Sequence, residues 1–170
     1  ACGKCRWCAM GMQNLCDNGA KIMIGDQMDG TFRAHDDKGT DIATAGLLGT
    51  FAEWQVYDQL SLIKVDKDLP LDVICLVACG VQTGFGSAAY AGNIRPGDVV
   101  LIAGVGGVGM NAVQGARESG ASHIIVADPV EDKQKWCLDF GATEAFPSIA
   151  DAMPRIHELT NGQGADVAIL

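Results

Sequence analysis

The chain has 170 residues, enough for one ordinary domain or two small lobes. Hydrophobic residues make up 48% and charged residues 19%, a globular balance that excludes a disordered chain. The longest apolar runs, Val73–Ala78 and Val99–Ala103, are too short for a membrane helix, and a net charge of −9 makes nucleic acid and anionic membrane surfaces poor partners.

The N-terminal part, to about Lys67, is rich in Cys, Gly and Asp. Gly25–Asp41 carries Gly30, Gly39 and several Asp residues, so it reads as turns around a brief Thr31–Ala34 strand. Phe51–Tyr57 alternates, with Ala52, Trp54 and Val56 on one face and Glu53 and Gln55 on the other, which predicts a strand. Leu62–Val65 predicts a second. The character changes near Pro70. Leu71–Cys79 predicts an apolar helix begun by Asp68 and Pro70, followed by Gly80, Gly84 and Gly86 and a helical stretch to Tyr90 ended by Gly92.

Beyond the Pro96-Gly97-Asp98 turn the pattern alternates strictly. Val99–Ala103, His123–Ala127, Thr143–Phe146 and Asp166–Leu170 read as strands, and Val108–Ser119, Glu131–Phe140 and Ile149–Thr160 as helices. Runs such as VVLIA and IIVA lack polar alternation, so the sheet is predicted to be parallel with helices on both faces. Pro154 costs about 3 kcal/mol in a helix interior, which predicts a helix starting near Asp151 with Pro154 in its first turn. Residue 1 is Ala, and the chain stops in a strand-like run, which leads us to expect an internal piece of a longer protein.

Cys2, Cys5, Cys8 and Cys16 stand at spacings that let four thiolates close around one tetrahedral zinc ion. The spacing does not match iron–sulfur loops, and no His follows the second Cys as covalent haem attachment needs. Two disulfides or a redox pair is the other reading. Four ligands leave no open position, so such a zinc would be structural.

Val99–Ala103 runs into Gly104-Val-Gly106-Gly107-Val108-Gly109, which opens a helix. Gly104 suits a tight turn, Gly106 a close approach of backbone to pyrophosphate, and Gly109 close helix–strand packing. The next strand ends at Asp128, 19 residues after Gly109, where a carboxylate suits the ribose hydroxyls of NAD and repels the 2′-phosphate of NADP. A glycine-rich turn without nucleotide is the other reading.

Together with the segments GTFAEWQVY and Ala78-Cys-Gly-Val-Gln-Thr-Gly-Phe-Gly-Ser87, these motifs resemble the zinc-dependent medium-chain alcohol dehydrogenase family along the whole chain. MNAVQGA, ADPVEDK and ELTNGQGAD look most like the nitrosodimethylaniline-dependent alcohol dehydrogenases, beside the glutathione-dependent formaldehyde dehydrogenases. The resemblance implies an α/β chain in two parts. Residues 1–80 would be the end of a GroES-like catalytic domain with its four-cysteine zinc lobe. Residues 81–170 would be the first part of an NAD-binding Rossmann domain, four of whose usual six strands are here. It implies that Cys79 is a ligand of the catalytic zinc, that Thr83 and Val108 contact the nicotinamide, that Asp128 holds the adenosine ribose and that Lys133 lies near it. Cys75 and Cys137 read as inert buried cysteines. His35, His123 and His157 replace none of the family's missing ligands, a cysteine and a histidine, so 170 residues alone would be inactive.

The full-length protein is then expected to bind structural and catalytic zinc and NAD. Its reaction would be oxidation of an alcohol to an aldehyde, or of a formaldehyde–thiol adduct. Its partners would be a small alcohol or aldehyde, with no nucleic acid and no membrane, in a cytoplasmic homo-oligomer. A non-catalytic zinc- and nucleotide-binding relative is the reading from a different class.

Overall fold

The computed structural model describes residues 1–57 and 59–170. The chain divides into two compact units, Ala1–Lys67 and Asp68–Leu170. The division falls where the composition changes, and groups Asp68–Gly80 with the second unit; the 1–80 and 81–170 parts implied by the family resemblance are divided elsewhere.

Regular structure is sparse in the first unit. Helices α1 (Arg6–Ala9) and α2 (Lys21–Ile24) are single turns, and strands β1 (Ala34–His35) and β2 (Asp41–Ile42) form a small antiparallel hairpin. The hairpin turn is an Asp turn: the Asp36 carboxylate accepts the N–H groups of Lys38 and Thr40 at 2.9 and 2.7 Å. The brief strand lies at Ala34, three residues beyond the predicted start at Thr31. Phe51–Tyr57 and Leu62–Val65 are irregular, not strands, and Trp54, Val56 and Ile63 stand 85–90% exposed. The alternation is real, but a strand also needs a neighbour to complete its hydrogen-bond ladder, and no described segment pairs with either. Among the described residues of this unit, the buried side chains counted as apolar are Cys8 and Cys16. No hydrocarbon side chain among the described residues of this unit is buried.

In the second unit, α3 (Leu71–Ile74) starts at Pro70 and tightens into a 3-10 turn over Cys75–Ala78. Helix α4 (Gly80–Gly86) continues as a π turn over Ser87–Ala91. No single helix among the described residues is long and apolar enough to cross a membrane. Then come β3 (Val99–Ala103), α5 (Gly107–Glu118), β4 (His123–Ala127), α6 (Glu131–Phe140), β5 (Glu144–Phe146), α7 (Ile149–Leu159) and β6 (Val167–Ile169). The sheet is parallel throughout, in the order β5-β4-β3-β6, as the uninterrupted apolar runs predicted.

Because side chains alternate across a strand, the sheet divides its apolar residues into two clusters. Val100, Ile102, Ile124 and Val126 meet Ala112, Val113 and Ala116 of α5 and Cys137 of α6. Val99, Leu101, Ile125 and Ala127 meet Ala152 and Ile156 of α7. Each fully buried Val or Ile contributes roughly 1.5–3 kcal/mol, so this unit carries a hydrocarbon core, which the described residues of the first do not form.

Helix α7 starts at Ile149, not near Asp151. Ser148 is its cap, accepting the Asp151 N–H at 3.2 Å while its hydroxyl donates to the Asp151 carboxylate at 2.6 Å. That cap outweighs the proline signal, and Pro154 stands exposed inside the helix as its sixth residue.

Candidate functional site

Two sets of side chains stand out, one in each unit. In the first, the Sγ atoms of Cys2, Cys5, Cys8 and Cys16 all lie within 4.8 Å of one another, and none is in a disulfide. A tetrahedron with ~2.3 Å zinc–sulfur bonds has edges of ~3.8 Å, so the four thiols need only close slightly. Backbone N–H groups already reach two of the sulfurs: Cys2 N–H donates to Cys16 Sγ and Cys5 N–H to Cys2 Sγ, both at 3.3 Å. N–H groups of Lys4 and Cys5 bring the Cys2 thiol down to about 6, and those of Cys8 and Asp17 lower Cys5. Burial pushes Cys8 up to about 11. A divalent cation would draw all four into the thiolate form. The donor set fits zinc, and such a tie would hold together a unit whose described residues bury little apolar surface.

The second set lies at the carboxyl ends of the parallel strands. The chain leaves β3 towards β4 on one side, while β6 lies on the other, so the order reverses there and leaves a crevice outside the strand ends. The glycine turn is built at this edge. Gly104 has φ +85°, a left-handed conformation that a side chain would strain. A Cβ on Gly109 would overlap the Gly104 carbonyl, so glycine is what lets α5 start against the turn. Around Gly106 and Gly107 nothing lies within 4 Å of a would-be Cβ, so the outer face of the turn is open backbone. The first N–H groups of α5 have no intrahelical acceptors and carry the positive end of the helix dipole.

Asp128, at the tip of β4, is 3% exposed. Its Oδ2 accepts the Val105 N–H and its Oδ1 the Val130 N–H, both at 2.9 Å, and Lys133 Nζ stands 3.8 Å from Oδ2. Burial opposes ionisation, but the Val130 and Val105 N–H groups and the Lys133 ammonium together outweigh it and hold the carboxyl below its ordinary range. A glycine cradle with open backbone and an ionised acid at the next strand tip fits a dinucleotide.

Cys79 is exposed at the N-terminus of α4, and Thr83 follows one turn on, its N–H donating to the Cys79 carbonyl at 2.9 Å. Helix α4 crosses α5 closely. A Cβ on Gly84 would overlap the Val108 carbonyl and come within 2.8 Å of Asn111 Cβ, so a bare glycine sets the spacing of the helices. As a result Cys79 and Gly107 line one cleft of about 210 Å³, with Cys75, Leu76, Gly80, Val81 and Asn111. Cys75 is therefore a correction: it is exposed, not buried, because the 3-10 turn it opens lies along this cleft. Cys137 is buried as expected.

His35 pairs with Asp41 at 3.0 Å, and His123 lies 3.2 Å from the Ser122 hydroxyl; neither belongs to either set. Sequence reasoning missed Asn111, whose amide donates to the Gly107 carbonyl at 2.7 Å, and Gln134, whose amide donates to the Asp128 carbonyl at 2.7 Å. Asn111 lies four residues beyond Gly107 on a helix, a spacing at which such a bond is readable; Gln134 gives no comparable signal.

Fold and site thus define a chain with four thiols placed as a metal-ligating set and a parallel sheet whose glycine turn and strand-tip acid fit a dinucleotide. Comparison with known proteins agrees. The family model for zinc-binding dehydrogenases matches residues 107–170. An NDMA-dependent alcohol dehydrogenase of Amycolatopsis methanolica is 50% identical over 169 residues, covering 99% of this chain and 45% of that protein. An S-(hydroxymethyl)glutathione dehydrogenase of Saccharomyces cerevisiae is 43% identical over 144 residues, 84% of this chain and 37% of the relative. An alcohol dehydrogenase zinc-binding domain protein from Burkholderia ambifaria superposes with a TM-score of 0.85 at 34% identity, covering 99% of this chain and 46% of that one. Over nearly its whole length the chain is thus similar to zinc-dependent alcohol dehydrogenases of the medium-chain kind, and it spans somewhat less than half the length of these relatives.

Proposed function

We propose that the full-length protein oxidises an alcohol to the aldehyde, the alcohol and NAD giving aldehyde, NADH and a proton. The observation that carries this reading is the meeting of Cys79 with the Gly107 end of the glycine turn in one cleft. A thiol suited to a metal and a cradle suited to a dinucleotide converge, as a metal-assisted hydride transfer needs. When bound, zinc supplies Lewis acidity at the alcohol oxygen and NAD the hydride-accepting ring.

The chain's own residues hold and orient. The N–H groups of the Gly104–Gly109 turn bind the pyrophosphate, and Asp128 accepts from the ribose hydroxyls with Lys133 beside it. Thr83 and Val108, on the two crossing helices, position the nicotinamide end. Cys79 supplies one thiolate to the catalytic zinc. Cys2, Cys5, Cys8 and Cys16 hold a second zinc that orders the first unit and takes no part in the chemistry. Reduced thiols fit a cytoplasmic setting, and the family resemblance supports a homo-oligomer.

The test is Cys79→Ala in the full-length protein. We expect zinc to fall from two per chain to one and alcohol turnover to disappear. Turnover retained with one zinc lost would refute the role of Cys79, and a wild-type protein that turns over no alcohol with NAD would favour a non-catalytic relative. The yeast relative, named for S-(hydroxymethyl)glutathione, supports a second substrate reading. Offering formaldehyde with and without a small thiol in the same assay decides between them.

A further inference from the structure

Asp128 is engaged before any ligand arrives. Two consecutive hydrogen bonds stitch the glycine turn to the end of β4: Gly104 N–H donates to the Ala127 carbonyl at 2.8 Å, and Val105 N–H to Asp128 Oδ2 at 2.9 Å. The acid is itself fixed from three further directions. Val130 N–H donates to Oδ1 at 2.9 Å, Gln134 Nε2 donates to the Asp128 carbonyl at 2.7 Å, and Asp128 N–H donates to the Phe146 carbonyl at 3.0 Å. Val105, which precedes the open backbone of Gly106, buries its side chain to 2% exposure in the α5-side cluster. Four of the six residues in this turn are glycine, which lose more conformational freedom on ordering than any other residue. Something outside the turn must hold it.

We propose that Asp128 is a latch for the glycine turn: its carboxylate sets the conformation of residues 104–109 through the Val105 N–H, in addition to receiving the ribose. An ionised carboxylate offers about four acceptor sites. The two N–H donors here use two, which leaves capacity for hydroxyl groups. The proposal rests on the dinucleotide reading given above, and it departs from a ribose-only role in one respect. If Asp128 served the ribose alone, its removal would be silent towards a ligand lacking ribose hydroxyls. Coulomb's law goes further, since deleting a negative charge near a pyrophosphate site favours the anion. The latch predicts the opposite sign.

The experiment measures affinity of the full-length protein for NAD and for an NAD analogue whose adenosine ribose lacks both hydroxyls. It compares wild type, Asp128→Ala and Asp128→Asn, with hydrogen exchange of the ligand-free proteins alongside. A lost hydrogen bond to a charged group corresponds to roughly tenfold or more in affinity. We expect Asp128→Ala to weaken the analogue by that factor and to speed exchange at the Val105 amide, while peptides from β3 and β4 keep wild-type protection. Asp128→Asn, which keeps one acceptor oxygen, should fall between, and it serves if the alanine variant does not fold. Unchanged analogue affinity and unchanged Val105 exchange, with NAD binding alone weakened, would overturn the latch. A wild-type protein that binds neither ligand would overturn the dinucleotide reading instead, and the Val105 exchange comparison would still judge the latch.

Discussion

The contact between α4 and α5 at Gly84 allows a sharp test of how the cleft is positioned. In Gly84→Ala the new methyl would meet the Val108 carbonyl, with Asn111 Cβ at 2.8 Å. Two effects oppose each other. Alanine favours a helix over glycine by about 1 kcal/mol, whereas overpacking costs about 1–3 kcal/mol. The obstructing atom is backbone in the first turn of α5, with no rotamer by which to step aside, so the cost wins and α4 must draw back. Cys79 then moves relative to Gly107, and a misplacement near 1 Å costs on the order of 10²-fold in a geometry-sensitive step. Gly86→Ala is the control: it lies in the same helix, and its Cβ would make an ordinary 3.7 Å contact with Tyr90. In the full-length protein, thermal denaturation and kcat for alcohol oxidation should show Gly84→Ala destabilised by several degrees and slowed, with Gly86→Ala neutral or slightly stabilised. Wild-type stability and turnover in Gly84→Ala, or equal losses in both variants, would refute the reasoning.

Two other outcomes are expected. Pro154→Ala should stabilise the protein by about 1–2 kcal/mol: an N–H is restored to face the Ala150 carbonyl at an exposed helix position, less the entropy the unfolded chain regains. No gain in denaturant midpoint would mean that Pro154 sits in a first turn after all. Cys16→Ser should cost the full-length protein one zinc of two and leave residues 1–20 open to limited proteolysis, while the second unit keeps its protection; full metal content would refute the tetrathiolate site.

The second unit was legible because its signals are local. VVLIA and HIIVA are strands at the predicted residues, and α6 stops at Gly141, whose φ of +115° needs glycine. The cysteine spacing likewise led to four thiols drawn together. What could not be read depends on contacts distant in sequence. The alternation of Phe51–Tyr57 predicts a strand only if another strand lies alongside, and a single sequence does not say so. The engagement of Asp128 with Val105 spans 23 residues, and nothing in either residue's neighbourhood announces it. Cys75 reads as core because its neighbours are apolar, yet Leu71, Val73, Leu76 and Val77 are all exposed in this chain. The start of α7 is a different case: Ser148-Ile-Ala-Asp151 is a local cap signal, and it outweighs the helix-breaking tendency of the proline three residues on.

The central sheet works as a partition. The cradle and the helix that opens from it rest on one apolar cluster, while α7 rests on another, across the strands. Remodelling on the α7 side is thereby insulated from the glycine turn by a wall of backbone hydrogen bonds. A lineage could exchange Ile156 or Ala152 for other apolar residues, tuning robustness on one side while the proposed dinucleotide site on the other stays unmoved.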